Sequence, residues 1–232
     1  MSTFDKAIAL QTALSLTNND GNEAGLAEAF AEICEFLSAH PEYLSWRSRK
    51  NRPDITNPEG IRQLANKYFS GYRRVDFPKD PRTIPDEAVS IVMSAAYGYS
   101  VEQRERIKTE HQHAMSAENC VGALLERYLD SALREQGWCW CCGDFVKAVD
   151  FIRHEQNGQW SALQIKNRDN SENSSSSAIR AGTTIQKWFR SFSRKASTNW
   201  ENLPPQMQGF NLSEQNFLLF IETYLTTNRP QT

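Results

Sequence analysis

Three residues of this 232-residue chain, Asp150, Gln164 and Lys166, have types and a spacing that could do chemistry. Asp150 lies in an apolar stretch predicted as a β-strand, and Gln164 and Lys166 lie in the strand predicted next. Because side chains alternate along a strand, the glutamine and the lysine share one face. Oxygen ligands for a hard cation, with an ammonium beside them, suit metal-assisted hydrolysis of a phosphodiester. We therefore predict Asp150 and Gln164 as ligands of a hard cation and Lys166 as a catalytic residue. The alternative is a plain hairpin with an exposed lysine.

The turn at Gln156-Asn157-Gly158 decides whether these side chains meet. A two-residue turn at Asn157-Gly158 would pair residue 150 with residue 165 and set Asp150 on the face opposite Gln164. A three-residue loop, with Gly158 in the left-handed conformation, pairs residue 150 with residue 164 instead. The predicted site therefore requires the three-residue loop or an equivalent bulge.

The elements around the hairpin follow from hydrophobic spacing and turn residues. The spacing predicts helices over 4–17, 23–39, 59–70, 85–97, from Ser116 to Gly137, and over 177–195. It predicts strands over 138–142, 145–154, 160–166 and 217–224, with a polar loop at 167–176. The chain is thus predicted as an α/β protein. Residues 1–110 form a helical region, expected to clamp DNA or to dimerise, and residues 111–232 form the catalytic unit.

Charge is unevenly distributed along the chain, although the formal net charge is only −2. Residues 45–82 carry ten Lys/Arg against four Asp/Glu, and residues 160–200 carry seven against two. Such segregation favours a polyanionic partner, and nucleic acid is the obvious class. The alternative is two solvated basic faces without a partner.

Composition excludes several classes of protein. The chain is 39% hydrophobic and 23% charged, which is typical of a globular protein. No run approaches the roughly 18 apolar residues of a membrane span, and residues 7–16 do not resemble a signal peptide, so we expect a cytoplasmic protein. Cys139, Cys141 and Cys142 lack a second ligand pair at zinc spacing, which favours buried, reduced thiols over a zinc site.

The order of these features resembles the PD-(D/E)XK nuclease superfamily. Its pattern is matched by a glycine, a glutamate and a glycine-aromatic stop ahead of Asp150, namely Gly122, Glu126, Gly137 and Trp138. Val149 stands where the superfamily has proline, and Gln164 stands where it has a second acid, which removes one negative charge but keeps a coordinating oxygen. The resemblance implies a central mixed sheet flanked by helices and adds Glu126 to the site as a supporting carboxylate.

A longer stretch, about 118–195, resembles the SinI-type restriction endonucleases, which read GGWCC. The shared features are the run from Gln164 to Ser177, then Arg180, Thr183 and the segment Lys187–Arg190. The resemblance implies a magnesium-dependent type II restriction endonuclease that cuts double-stranded DNA as a homodimer in a bacterial cytoplasm. It also implies a companion methyltransferase acting on the same DNA sequence.

The segment after Lys166 is predicted to contact DNA. In the predicted helix 177–195 one face is apolar and the opposite face is basic. Arg180 is predicted to read a guanine, and the phosphate contacts are assigned to Lys187, Arg190 and Arg194. The preceding loop adds Arg168, Asn170, Ser171 and Asn173. Two alternatives to a restriction enzyme are a noncatalytic DNA-binding module and a repair or structure-directed nuclease on the same fold.

Overall fold

The computed structural model describes residues 3–18, 21, 23–48, 50–79, 86–169 and 185–229. The helices are α1 (Lys6–Leu14), α2 (Leu26–Ala39), α3 (Pro58–Arg73), α4 (Glu87–Tyr97), α5 (Val101–Leu133) and α6 (Glu214–Thr227). The strands are β1 (Cys139–Trp140), β2 (Phe151–His154), β3 (Trp160–Arg168) and β4 (Gln186–Ser191). Short 3₁₀ turns lie at Pro41–Tyr43, Arg134–Gln136, Trp200–Asn202 and Pro205–Met207.

The strands form one mixed sheet in the order β1-β2-β3-β4. β2 is antiparallel to both of its neighbours, whereas β4 is parallel to β3. Helix α2 packs against β1, and α5 packs against β3. The predicted α/β class is therefore confirmed at this level.

The hairpin between β2 and β3 has the predicted three-residue loop. Phe151 pairs with Leu163, and His154 pairs with Trp160. The Glu155 N–H donates to the Gln159 carbonyl at 2.8 Å, and Gly158 has φ +78°. Because residue 155 thus faces residue 159, the bulged register is confirmed and the two-residue turn is excluded.

The predicted helix 177–195 is wrong where the structure describes it, because residues 186–191 form β4. Trp188 lies in the core at 2% exposure and donates from Nε1 to the Asn199 carbonyl. Pairing with β3 satisfies the backbone of this segment, and that tertiary contact overrides the helical spacing. Residues 177–184 lie outside the described part of the chain.

The strand predicted at 217–224 is also wrong, since these residues belong to α6. A continuous apolar run cannot be assigned by periodicity, because it fits a buried strand and a helix equally. Ser213 caps the helix by accepting a hydrogen bond from the Asn216 N–H. The Phe217 and Phe220 rings then contact the Tyr128 ring of α5.

Helix α5 begins at Val101 and not, as predicted, at Ser116. Ser100 and Gln103 form a capping box at its start, which is a strong helix-initiation signal. The predicted division between residues 110 and 111 therefore falls inside a helix. Buried residues on both sides of it, from Ala9 to Phe217, form one core cluster.

The strands predicted at 138–142 and 145–154 are shorter than expected. Only Cys139–Trp140 and Phe151–His154 are strands, and the segment between them contains positive φ angles at Gly143, Asp144 and Ala148. Cys139, Cys141 and Cys142 are free and buried, as predicted, and so are Cys34 and Cys120. Among the described helices, none is both long and apolar enough to cross a membrane.

Two glycines let α3 dock directly on the loop that precedes β2. A Cβ added at Gly71 would lie 2.5 Å from the Gly143 Cα, and one added at Gly143 would lie 2.5 Å from the Lys67 carbonyl oxygen. Gly143 also has φ +92°, a conformation that side chains disfavour. The close approach brings the end of α3 next to the sheet residues discussed below.

Gly143→Ala is expected to destabilise the protein by about 2–4 kcal/mol, because it adds backbone strain to steric overlap. Gly98→Ala is the matched control, since Gly98 has φ +70° but no neighbour within 4 Å of an added Cβ. The control should therefore show the strain alone. Thermal unfolding of both variants measures the difference, and equal losses would show that the close contact between residue 143 and the Lys67 carbonyl can relax.

Candidate active site

A cavity of about 600 Å³ lies between α5 and the start of the sheet. The predicted residues Glu126, Asp150 and Lys166 all line it, so the structure brings these three together. Further lining side chains come from the residue after α3, from α5, from the loop before β2 and from β3, including Arg74, Glu118, Asn119, Asp144 and Asn167. The cavity is the structure's candidate active site.

Asp150 directly precedes β2 and is held by backbone hydrogen bonds to the segments on both sides of it. Its N–H donates to the Leu163 carbonyl and its carbonyl accepts from the Cys141 N–H, each at 2.8 Å. Its carboxylate accepts from the Ile165 N–H at 2.6 Å. Burial raises the pKa of Asp150 to about 6, although the Ile165 bond and the Lys166 charge oppose the rise.

Glu126 enters the cavity from α5. Its carboxylate accepts a hydrogen bond from Nε1 of Trp140, in β1, at 2.9 Å. Burial, and then the charge of Asp150, raise the pKa of Glu126 to about 8, against the opposing effects of Trp140 and Lys166. The charge of Asp150 therefore favours either a proton on Glu126 or a cation between the two carboxylates, which is the electrostatic condition of a cation site.

Gln164 behaves differently from the other predicted residues. It is 2% exposed and does not contribute to the cavity wall, although it shares its strand with Lys166. No described residue donates a hydrogen bond to its buried Oε1. Burying a carbonyl oxygen without a hydrogen-bond donor costs free energy of folding. Oε1 of Gln164 is therefore a candidate ligand for a cation.

The predicted DNA contacts divide into three groups. Four of them, Asn170, Ser171, Asn173 and Arg180, lie outside the described residues. Arg168 lies near the cavity and forms an exposed ion pair with Glu118 at 3.3 Å, a contact of small energy. Lys187 lies on β4, and Arg194 is exposed beyond the end of that strand.

The Arg190 side chain contacts other residues of the protein along most of its length. Its Nε donates to Asn167 Oδ1 at 2.9 Å, it forms an ion pair with Glu214, and its side chain is 13% exposed. The guanidinium also stacks over the Phe217 ring. These contacts join β4 to α6 and leave little of the side chain for a phosphate.

The sequence analysis missed Arg74 as a cavity residue. The pair Arg73-Arg74 belongs to the basic window 45–82, but the local pattern does not separate their roles. Arg73 bonds the buried Glu23 at 2.6 Å, whereas Arg74 lines the cavity. The different roles of Arg73 and Arg74 follow from the contact between α3 and the loop before β2. Sequence spacing does not reveal that contact.

A second group of potential ligands, Glu32, Glu35 and His154, has ligand atoms within 4.8 Å of one another. None of the three lines the cavity. Lys6 already bonds both glutamates, at 2.6 Å in the case of Glu35. The Lys6 ammonium thus balances one of the two glutamate charges, and the magnesium prediction does not depend on this cluster.

Comparisons with known proteins match most of the chain. A model of the SinI restriction endonuclease family matches residues 7–227. Over 202 residues the chain is 48% identical to the type II restriction enzyme Eco47I of Escherichia coli, which covers 86% of this chain and 87% of that protein. It is 47% identical, over 202 residues and the same shares of each chain, to the type II restriction enzyme SinI of Salmonella infantis.

Proposed function

Because the chain belongs to the SinI restriction endonuclease family, we propose that the cavity of Glu126, Asp150 and Lys166 is where it cuts DNA. Membership makes the chain a site-specific DNA endonuclease. The convergence of two carboxylates and one ammonium in a single cavity carries the assignment of the active site. GGWCC is the proposed target, as the sequence resemblance implies.

The fold proposed for this function is the PD-(D/E)XK core. Two features support it: the sheet has three antiparallel strands followed by a parallel one, and a helix carrying Glu126 precedes it. Asp150 directly precedes β2, and Lys166 lies on β3. The antiparallel hairpin thus delivers the acid and the ammonium to the same place.

Magnesium is the proposed cofactor, and the residues present fit it. The candidate donors are oxygen atoms, which a hard cation prefers. The carboxylates of Asp150 and Glu126 line the cavity, whereas Oε1 of Gln164 is buried outside the lining, on the strand that carries Lys166. The two carboxylates repel each other, and the glutamine oxygen lacks a hydrogen-bond donor among the described residues. Bound magnesium polarises the phosphate and acidifies a water molecule.

The protein's own groups have distinct roles in the proposed reaction. The carboxylates of Asp150 and Glu126 must lose their protons to hold the cation, which favours activity above neutral pH. The backbone hydrogen bonds of Asp150 hold it in place before DNA arrives. The Lys166 ammonium stabilises the charge that develops on the phosphate, or positions the water.

A homodimer is the proposed working form. GGWCC is nearly palindromic, so two copies related by a twofold axis would each place one cavity on one strand. A companion methyltransferase would protect the host's own sites. The contacts proposed for reading the sequence remain those of the segment after Lys166, with Arg180 as the guanine contact.

Incubation with plasmid DNA and magnesium tests the proposal. A plasmid with several GGWCC sites should give discrete fragments, whereas one without such sites should stay intact. A smear on both plasmids would indicate a repair or structure-directed nuclease. Intact DNA on both, with retained binding to the duplex, would support the noncatalytic module instead.

A further inference from the structure

We propose that Arg74 binds a phosphate of the DNA inside the active-site cavity, and that Asp76 and Arg127 hold it ready for this contact. The inference rests on the proposed function, because it assigns one more residue to the same cavity. Arg74 follows α3 directly and lines the cavity together with Glu126, Asp150 and Lys166. Its side chain is 48% exposed, so a ligand can reach it.

Asp76 fixes the guanidinium of Arg74 at one edge. Nε of Arg74 donates to Oδ1 of Asp76 at 3.0 Å, and the aspartate side chain is only 8% exposed. The bond uses Nε and leaves the two terminal amino groups to other acceptors. A guanidinium held at its Nε edge presents the flat pair of donors that fits a phosphate.

Arg127 fixes both Asp76 and the backbone that carries Arg74. Its Nε donates to the second oxygen of Asp76 at 2.6 Å. Its remaining nitrogens donate to carbonyl oxygens at the end of α3, those of Gly71, Tyr72 and Arg74. Its guanidinium also lies over the Trp140 ring, 5.1 Å from the centroid. Arg127 directly follows Glu126 on α5. The same helix turn therefore places the Glu126 carboxylate in the cavity and holds the backbone that carries Arg74.

The excess of acidic side chains in the cavity explains why a second basic side chain, besides Lys166, is needed to bind a phosphate. Four acidic residues line it, namely Glu118, Glu126, Asp144 and Asp150. Among the described lining residues, Arg74 and Lys166 are the cationic ones. A phosphodiester entering this cavity meets more negative than positive side chains. Lys166 serves the reacting phosphate in the proposed mechanism, so Arg74 is available for phosphate binding in the ground state.

Three variants test the inference on a duplex that the parent protein cleaves. Arg74→Ala removes the proposed contact, and Arg74→Lys keeps the charge but loses the fork of donors. Arg229→Ala is the matched control, because it removes the same charge from an exposed position that lies outside the cavity and outside both basic windows. Binding is measured against salt concentration in EDTA, and cleavage is measured under single-turnover conditions in magnesium.

Each phosphate contact contributes about 0.9 to the slope of log affinity against log salt. Arg74→Ala should therefore lower the slope by about one and slow cleavage by about tenfold or more, while its melting temperature stays near the parent's. Arg74→Lys should recover most of the slope, and Arg229→Ala should keep it. An unchanged slope for Arg74→Ala, or equal losses for Arg74→Ala and Arg229→Ala, would overturn the inference. Failure of the parent to cut any plasmid would instead overturn the proposed function.

Discussion

Lys166→Ala is expected to slow DNA cleavage in magnesium by about a hundred- to a thousandfold, the usual effect of losing one group that stabilises developing charge. The ammonium lies in the cavity with both carboxylates and acts on negative charge that grows in the transition state. DNA binding in EDTA should change little, because many other contacts hold the duplex. Single-turnover rates and binding isotherms on the same duplex measure the two effects.

Two controls make this result specific to the cavity. Arg229→Ala removes an exposed cation outside the cavity and outside both basic windows, and should cut at the parental rate. Lys166→Arg keeps the charge at the site and should retain more activity than Lys166→Ala. Parental cleavage by Lys166→Ala would show that the hairpin has a structural role only. The noncatalytic binding module would then be the better description of the cavity.

The hairpin carrying Lys166 was predictable because its determinants are local. The sequence Gln156-Asn157-Gly158 limits the turn to two registers, and the period of two along each strand assigns faces. The need for Asp150 and Lys166 to meet selects the bulged turn, and the pairing of residues 151 and 163 confirms it. Helices α2 and α3 were predictable for the same reason, since each has a long apolar stripe and a clear stop.

The two wrong elements depend on contacts that are distant in sequence. Residues 186–191 become a strand because β3 offers them a parallel partner and the core takes up Trp188. Residues 217–224 become a helix because α5 presents the Tyr128 ring to their apolar face. In both segments the local pattern is compatible with either state, so tertiary packing makes the choice.

The candidate site divides in the same way. Asp150 and Lys166 follow from local patterns, whereas Glu126 was indicated through the family resemblance, since no short-range spacing links it to the hairpin. Arg74 and Asp76 lie in the segment after α3, and Arg127 lies on α5, so the three residues meet only in the folded protein. Their ion pairs satisfy buried charges across the structure, and such long-range pairing has no signature in one sequence.

Glu126→Gln is expected to make the metal-free protein more stable than the parent at pH 8, although it impairs the site. The pKa of Glu126 is raised from its ordinary 4.5 to about 8, and that of Asp150 from 3.8 to about 6. A carboxyl whose pKa rises on folding contributes stability that is fully present below its unfolded pKa. That stability is lost as the pH rises through the folded pKa. The metal-free parent should therefore lose stability between about pH 4 and pH 8.

The glutamine side chain mimics the protonated acid at every pH, so the variant avoids the part of the loss that belongs to Glu126. Its melting temperature in EDTA should exceed the parent's at pH 8, by about 2–4 °C for each kcal/mol of relieved repulsion, and should approach it near pH 4. Glu105→Gln, an exposed position on the same helix, is the control and should show no such crossover.

Added magnesium should reverse the order at pH 8. A cation that binds only the folded protein stabilises it by mass action, and the parent offers it one more carboxylate than the variant does. The parent should therefore gain more in melting temperature and overtake Glu126→Gln. A variant less stable than the parent in EDTA at pH 8 would show that Glu126 is held mainly by its bond to Trp140. In that case the repulsion between Glu126 and Asp150 would be weaker than the stabilising effect of the Trp140 bond. It would then not explain why the cavity needs a cation.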